Sequence, residues 1–410
     1  MDTDARELTD KRDLRMLLKL AAMLVASGMP VHEVELNVAA AGTRIGHPGV
    51  VIGAAPTLVQ LALDEGEPAS QARVPRPLRL DQTLALSQVL TDLHRSTPSV
   101  PELIAQLAAV ATLTHRHGLL TRHAGDLAVA LGIGLVLQPG WTNLAVIALC
   151  SVLTSVLMHF SARHALLRAL LPLAASGIAS LIAFGAFQLG IIQGPVRTMI
   201  CAIAVLLPGA VLATGMAELA TGQMVAGSSR TFYGLTQLLL FTLGIVAAAT
   251  ILRVPHQALA DTHVAQLGWW AFPVGIVVIA LGITVEEGLP RTHVLPVALM
   301  TVITAVVQYL GRSWTTDIPA GPFLGALAAA FGSTALAAWR PEIPRLVTFL
   351  PSFWLLVPGT LGVLGLTGLA NGQSVSAIAT VVMLIVGIAT GLLVGSALAL
   401  PVQRWGRRRA

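Results

Sequence analysis

From Asp126 to its last residues the chain runs as apolar blocks separated by short polar connectors. Each block is close to the roughly 20 residues that an α-helix needs to cross a bilayer. In the whole chain 55% of the residues are hydrophobic and 11% are charged, whereas a soluble domain carries roughly 25% charged residues. Most of the chain therefore cannot face water, and the pattern predicts an all-α polytopic membrane protein.

The apolar blocks provide about ten candidate spans. They are 124–138, 142–161, 166–187, 197–217, 231–251, 268–286, 293–310, 320–339, 346–367 and 375–400. If the N-terminus is inside, the inner connectors hold twelve arginines and the outer ones hold three, namely Arg197, Arg253 and Arg312. Basic residues concentrate on the cytoplasmic side. The bias predicts an even number of spans with both termini in the cytoplasm.

Residues 1–123 have a different character, because they contain most of the acids and both lysines. Amphipathic helical patterns flank two strand-like runs, VVIGAAPTLVQLAL and QARVPRPLRL, which are joined by the turn DEGEP. We therefore expect a small α+β domain. The first residues, MDTDARELTDKRD, contain no apolar h-region, so we expect no cleaved signal peptide and a cytoplasmic location. His32, Glu33 and Glu35 show no ligand pattern and are expected to form a solvated helix face.

An internal echo relates two of the predicted spans. LLPGAVLATGMAEL at 206–219 resembles LVPGTLGVLGLTGL at 356–369. The two stretches lie five spans apart, and a unit with an odd number of crossings must re-enter from the opposite face. The spacing predicts inverted five-helix repeats, 124–251 and 252–410, the second ending in a basic cytoplasmic tail. The alternative, that Pro-Gly pairs are ordinary kinks in membrane helices, stays open.

A Pro-Gly pair at membrane depth has a chemical consequence. Proline removes a backbone donor and glycine relaxes the backbone, so a helix broken there exposes N–H groups on one side and carbonyls on the other. The N–H groups suit a carboxylate and the carbonyls suit an ammonium group, which favours a zwitterion such as an amino acid. The predicted substrate-binding residues are Pro208, Gly209, Thr214, Gly215, Glu218, Ser228, Ser229, Pro358, Gly359 and Thr360.

Glu218 and Asp317 are the candidates for proton coupling. A charge at the bilayer centre costs about 2.5–3.5 kcal/mol on insertion scales, so Glu218 either has a function or lies near the inner interface. Asp317 precedes Pro319 at the outer end of a span and either accepts protons or lies in a solvated loop. Arg230 is expected to be a basic anchor on the cytoplasmic side of the membrane.

The remaining polar groups are weaker candidates. Glu286 and Glu287 end a span and are expected to act as an interfacial cap, and Asp126 is expected to stabilise the start of the first span. The connector with His115, His117 and His123 favours lipid headgroups over a metal, since no acid or cysteine completes a site. No phosphate loop, nucleophile elbow or zinc motif is present, so the sequence predicts no cofactor, no metal and no enzyme activity.

Three stretches carry a resemblance to a known family: KLAAMLVASGMPVHEVELNVAAAGTRIG, LLPGAVLATGMAELATGQMVAGSSRTFYG and PSFWLLVPGTLGVLGLTGL. On these residues the chain resembles the threonine/serine exporter family of bacterial inner-membrane transporters. The resemblance implies a cytoplasmic N-terminal domain, about ten helices, and export of L-threonine and L-serine driven by the proton motive force. Some relatives are split in two and are associated with small dicarboxylates. The resemblance assigns no residue to the substrate site.

Three functions follow as alternatives. The first is a proton-coupled exporter of threonine and serine, and the second keeps the transporter but exports a dicarboxylate such as succinate. Arg230 is the only non-terminal cation near the motif, which favours the zwitterion. The third is a membrane enzyme or scaffold, for which no catalytic signature is present. The expected partners are an amino acid, the lipid bilayer and protons. Assembly into a homo-oligomer is left open, and nucleic acid is excluded because the arginines flank apolar blocks.

Overall fold

The computed structural model describes residues 2–95, 98–138, 140–255, 264, 266–314, 320–340, 342–356 and 376–407. The N-terminal region (residues 2–112) folds as helices and a small sheet. Its elements are α1 (Asp2–Ala26), α2 (Val31–Arg44), β1 (Val51–Ala54), β2 (Leu58–Ala62), β3 (Ser70–Arg73), α3 (Leu80–Arg95) and α4 (Val100–Thr112). Helix α1 lies at its centre and packs on α2, α4 and the sheet, burying Leu17, Leu20 and Leu24 completely.

The sheet is antiparallel in the order β1-β2-β3, with Val51 opposite Ala62 and Leu58 opposite Arg73. The first strand-like run of the sequence is therefore two strands, and its prediction as one was wrong. The chain reverses around Pro56, which has no N–H for a sheet ladder. The hydrogen bond from Ala55 N–H to Leu58 O, 2.8 Å long, closes this turn.

The membrane region follows as a series of helices. They are α5 (Leu119–Leu137), α6 (Trp141–Ser161), α7 (Ala165–Ala169), α8 (Leu171–Gln188), α9 (Pro195–Ile203), α10 (Gly209–Ala220), α11 (Met224–Ile251), α12 (Ala271–Glu286), α13 (Arg291–Trp314), α14 (Ala320–Trp339), α15 (Arg345–Leu355) and α16 (Ser376–Arg407), with a 3-10 turn at Ala204–Leu206 after α9.

Within the described residues, seven helices are long and apolar enough to cross a membrane, or eight if the bent pair that meets before Gly209 counts as one span. Helix α12 has 16 residues, fewer than the 18 that a candidate span needs. Helix α15 ends at Leu355, and the predicted continuation of this span lies outside the described residues. The number ten therefore stays a prediction.

The outer faces of these helices are apolar. On α6, Leu149, Val152 and Val156 are 53%, 46% and 40% exposed, whereas Ile147 and Thr154 on the other face are buried. A water-soluble protein rarely presents so continuous an apolar surface, and a bilayer removes it from water. The described part of the chain therefore has the surface of a polytopic membrane protein.

Helix contacts recur in the two halves of the membrane region. Helix α5 packs on α6, and α12 packs on α13. Helix α6 packs on α8 and α9, whereas α13 packs on α14 and α15. Helix α8 packs on α11, and α14 packs on α16. Helices in corresponding positions of the two halves therefore share these contacts.

The two halves meet where α5 crosses α12. A β-carbon built on Gly132 would lie 2.8 Å from Gly275 O, and one built on Gly282 would lie 3.0 Å from Gly125 O. The start of α5 therefore faces the end of α12, so the helices run antiparallel and their backbones touch. Only glycine leaves room for this approach, and small residues serve the same purpose in many membrane helix pairs.

We predict that Gly132→Ala destabilises the protein. The added methyl group would press on the Gly275 carbonyl and on the Ile279 backbone, and overpacking of this kind costs about 1–3 kcal/mol. Gly185→Ala is the matched control, since a β-carbon there meets nothing within 4 Å. Thermal unfolding in detergent, followed by tryptophan fluorescence, should show a lower midpoint for Gly132→Ala alone. Equal midpoints for both variants would contradict the close crossing.

Candidate functional site

The helix break predicted at Pro208 is present. Helix α9 and its 3-10 turn end at Leu206, α10 begins at Gly209, and the two segments are bent by 67°. Across the break Gly209 N–H donates to Leu207 O at 2.8 Å. Helix α10 starts without a side-chain cap, so N–H groups of its first turn have no partner within the helix. This part of the prediction is confirmed.

The second predicted break is the Pro-Gly pair at 358–359. Pro358, Gly359 and Thr360 lie outside the described residues, and so does Asp317. Their substrate and proton roles stay predictions.

The first break is packed against the second half of the membrane region. Ala213 of α10 belongs to one buried cluster with Phe353 and Leu356, which lie shortly before Pro358. Residues of α14 and α16 complete this cluster. The half-helix that follows Pro208 therefore packs on α11 of its own half and also against helices of the other half.

The predicted site residues do not all gather at the break. Ser228 and Ser229 donate their hydroxyl hydrogens to carbonyls one turn back in α11, at 2.6 and 2.7 Å. Glu218 lies near the far end of α10, ~13.5 Å from Gly209 along the helix axis. Thr214 is half-buried between the two ends. The structure thus separates the helix break from the charged and serine residues of the motif.

Helices α10 and α11 form a tight hairpin. A β-carbon on Gly227 would lie 2.7 Å from Gly215 O, so the two backbones touch near the turn. This close approach brings Glu218 beside Arg230, with 3.1 Å between Oε2 and Nε. The glutamate side chain is completely buried and that of the arginine is 12% exposed. Gly215 accordingly has a packing role that its prediction as a substrate residue did not include.

The other oxygen of Glu218 faces the N-terminal region. Val31 N–H at the start of α2 donates to Glu218 Oε1 at 3.1 Å. The first N–H groups of a helix carry partial positive charge, so a carboxylate is a favourable partner for them. Glu218 was expected either to have a function or to lie near the inner interface. The structure places its carboxylate where the membrane helices meet the N-terminal region.

A second ion pair links the N-terminal region to the other half. Arg345 Nη1 lies 2.7 Å from Glu33 Oε1, and Arg345 Nη2 donates to Ser396 Oγ at 3.3 Å. The expectation that Glu33 belongs to a solvated face was wrong. Helix amphipathicity alone does not reveal an ion pair whose partner lies more than three hundred residues away.

A third contact involves the end of α12. Leu80 N–H, at the start of α3, donates to Glu287 Oε2 at 2.8 Å, and His115 Nε2 lies 2.6 Å from Glu286 O. Glu287 thus caps a helix of the N-terminal region. Burial raises the pKa of the Glu287 carboxyl from 4.5 to about 7, despite the opposing effect of Leu80 N–H. The folded state therefore binds the proton more tightly than the unfolded chain, and it loses stability as the pH rises from 4.5 through 7 and the buried carboxyl ionises.

A buried polar cluster lies between α5 and α6. His123 Nδ1 is 2.5 Å from Ser155 Oγ, which donates to Asp126 Oδ2. The same ring nitrogen faces both partners, at 3.7 Å from the aspartate. A Ser-His-Asp triad instead uses one ring nitrogen for each partner, so the geometry does not match nucleophilic catalysis. Asp126 bonds across helices, which the expectation of a helix-start role did not include.

These observations define the class of the protein: it is a polytopic helical membrane protein with a broken helix in its interior and an N-terminal region bonded to both halves. Residues 15–252 match the family model described as "Putative threonine/serine exporter". This match covers more than half of the chain, and the chain belongs to that family of membrane transporters. No curated protein and no solved structure matches it.

We predict that Glu218 and Arg230 stabilise the fold as a unit. Glu218→Ala or Arg230→Ala leaves one buried charge unpaired and should cost about 3–5 kcal/mol, whereas the double variant should cost less than the sum. Thermal and denaturant unfolding in detergent measure these costs.

A matched control for this cycle is the exposed pair of Arg340 and Glu342, whose side chains are 57% and 63% exposed. Its removal should cost about 0–1 kcal/mol. If the losses from Glu218→Ala and Arg230→Ala simply add in the double variant, the two residues do not act together.

Proposed function

We propose that the chain exports L-threonine and L-serine across the bacterial inner membrane by proton antiport, with both termini in the cytoplasm. The substrate class rests on the family to which the chain belongs. The observation that carries the mechanism is the α9–α10 break, whose second half-helix packs into the opposite half of the membrane region. A small polar solute bound at such a break can be reached from either side as the halves move.

We further propose that the two halves are inverted repeats. Several buried residues of the first half have a counterpart at the sequence separation that relates Pro208 to Pro358. The pairs are Gly125 with Gly275, Gly132 with Gly282, Ser151 with Thr301, Thr154 with Thr304, and Thr198 with Thr348.

The glycine crossing supports the same proposal. Gly125 approaches Gly282, and Gly132 approaches Gly275. Exchanging every glycine for its counterpart reproduces this same set of contacts, which is what a two-fold axis between α5 and α12 requires. The odd number of helix crossings in each predicted repeat then makes the two halves opposite in orientation.

The chemistry of the break favours a zwitterion over a dicarboxylate. The start of α10 offers N–H groups to one carboxylate. Arg230, the cation that a second carboxylate could use, is paired with Glu218. Export of succinate is therefore the weaker alternative.

The orientation rests on two features. The arginine bias predicts that the connectors after α10 and α12, and the one before α15, lie in the cytoplasm. These are the same helix ends that contact the N-terminal region, through Glu218, Glu287 and Arg345. A cytoplasmic N-terminal region agrees with both features. Glu218 and Asp317 remain the proposed proton carriers, and the lipid bilayer and protons are the proposed partners.

Transport itself is tested in proteoliposomes loaded with labelled threonine, serine or succinate. We expect the amino acids to leave these proteoliposomes faster than they leave protein-free vesicles with the same load, and faster still when a pH gradient is imposed. Glu218→Gln should remove the effect of the gradient, because an amide cannot exchange the proton. Glu102→Gln, an exposed position on α4, is the matched control. If neither amino acid leaves the proteoliposomes faster than it leaves protein-free vesicles, the proposed function is excluded.

The role of the break is tested by Pro208→Ala combined with Gly209→Ala. We expect these changes to favour a continuous helix and to slow threonine efflux by about tenfold or more, since small displacements of a binding geometry have effects of this size. Pro172→Ala is the control, because Pro172 lies in the first turn of α8, where a proline removes no helical hydrogen bond. Normal efflux from the double variant would separate transport from the break.

A further inference from the structure

The first turn of α2 contacts both halves of the membrane region, one through a hydrogen bond and the other through an ion pair. Val31 N–H donates to Glu218 of α10, in the first half. Glu33, two residues further on, pairs with Arg345 of α15, in the second half. A single rigid turn of helix therefore joins two helices that belong to different proposed repeats.

The first contact is buried and the second is partly buried. Val31 and Glu218 are completely buried, and the side chains of Glu33 and Arg345 are 27% and 24% exposed. Arg345 is also fixed by Ser396 Oγ and lies over the ring of Phe349, with 5.6 Å from its guanidinium carbon to the ring centre. Buried charges that lose a partner are costly, so these bonds hold α2 firmly while it is docked.

A second set of contacts attaches the N-terminal region to the end of α12. The N–H of Leu80, at the start of α3, donates a hydrogen bond to the Glu287 carboxylate, and the His115 ring hydrogen-bonds to the Glu286 carbonyl. His115 lies in the connector that leads directly into α5, and α5 packs along α12. The anchoring contacts therefore lie beside the covalent link between the two regions. The α2 contacts lie on α10 and α15, outside this pair, and α3 also packs on α15. A tilt of the N-terminal region about the anchored contacts would lift α2.

We propose that the first turn of α2 is a latch on the inner end of the transport path. Docked, it holds α10 and α15 together, and it has to detach before these two helices can separate at that end. The N-terminal region is then a moving part of the transporter. This inference rests on the proposed transport function.

A reversible cross-link tests the latch. In a background with Cys150→Ala and Cys201→Ala, Glu33→Cys and Arg345→Cys are joined by a bis-methanethiosulfonate reagent. A spacer is needed because the native contact joins the tips of two long side chains, whereas a direct disulfide requires short Cα separations. We expect the linked protein to lose threonine efflux by about tenfold or more, and a reducing agent to restore it.

Arg340→Cys with Arg345→Cys is the matched control, since both positions lie in the second half and a link between them leaves α2 free. This protein should transport equally before and after linking. If the linked Glu33→Cys, Arg345→Cys protein transports as fast as its reduced form, the latch is wrong although transport is intact. If the wild-type protein itself exports neither threonine nor serine, it is the proposed function that fails.

A labelling experiment tests the latch without measuring transport. Val31→Cys in the same cysteine-free background keeps its backbone donor and reacts with a maleimide only when α2 lifts. Glu33→Arg should raise the labelling rate by about tenfold, and adding Arg345→Glu should restore it by re-forming the pair in reverse. Glu342→Arg should leave the rate unchanged. A rate that does not respond to Glu33→Arg, or is not restored by the second change, overturns the latch.

Discussion

The structure depends on one constraint of the bilayer, which is that backbone polar groups inside it have to be satisfied by the protein itself. An interrupted helix is stable there only where other helices surround it. The break before Gly209 meets this condition because α10 packs on α11 and among helices of the other half. The same bend of 67° sets the direction of α10 and carries its far end to the N-terminal region.

The charges at that end follow from the cost of burying them. Glu218 has Arg230 and Val31 N–H as partners, and Arg345 has Glu33 and Ser396. Glu218 and Arg345 thus each have one partner in the N-terminal region. Docked, α2 therefore supplies a partner to one charged group in each half of the membrane region.

Local chemistry could be predicted from the sequence and long-range pairing could not. Pro208 lacks a donor wherever it lies, so the helix break was predictable. The two strands around Pro56 were merged into one because apolar β-branched residues continue on both sides of the turn. Ser228 and Ser229 were assigned to substrate by composition, but a helix lets a serine hydroxyl bond to its own backbone. Glu33 had no recognisable pattern, because its partner is distant in sequence.

The membrane class, the position of the first helix break and the family could be predicted from the amino-acid sequence alone, since apolar block length, proline chemistry and motif residues are properties of short segments. Three features follow only from the folded chain: which half each segment packs on, the ~13.5 Å between Glu218 and Gly209 at the break, and the joining of α10 to α15 by α2. Those features arise from the folding of segments far apart in the chain, where the burial of a charge selects its partner and no local pattern records the choice.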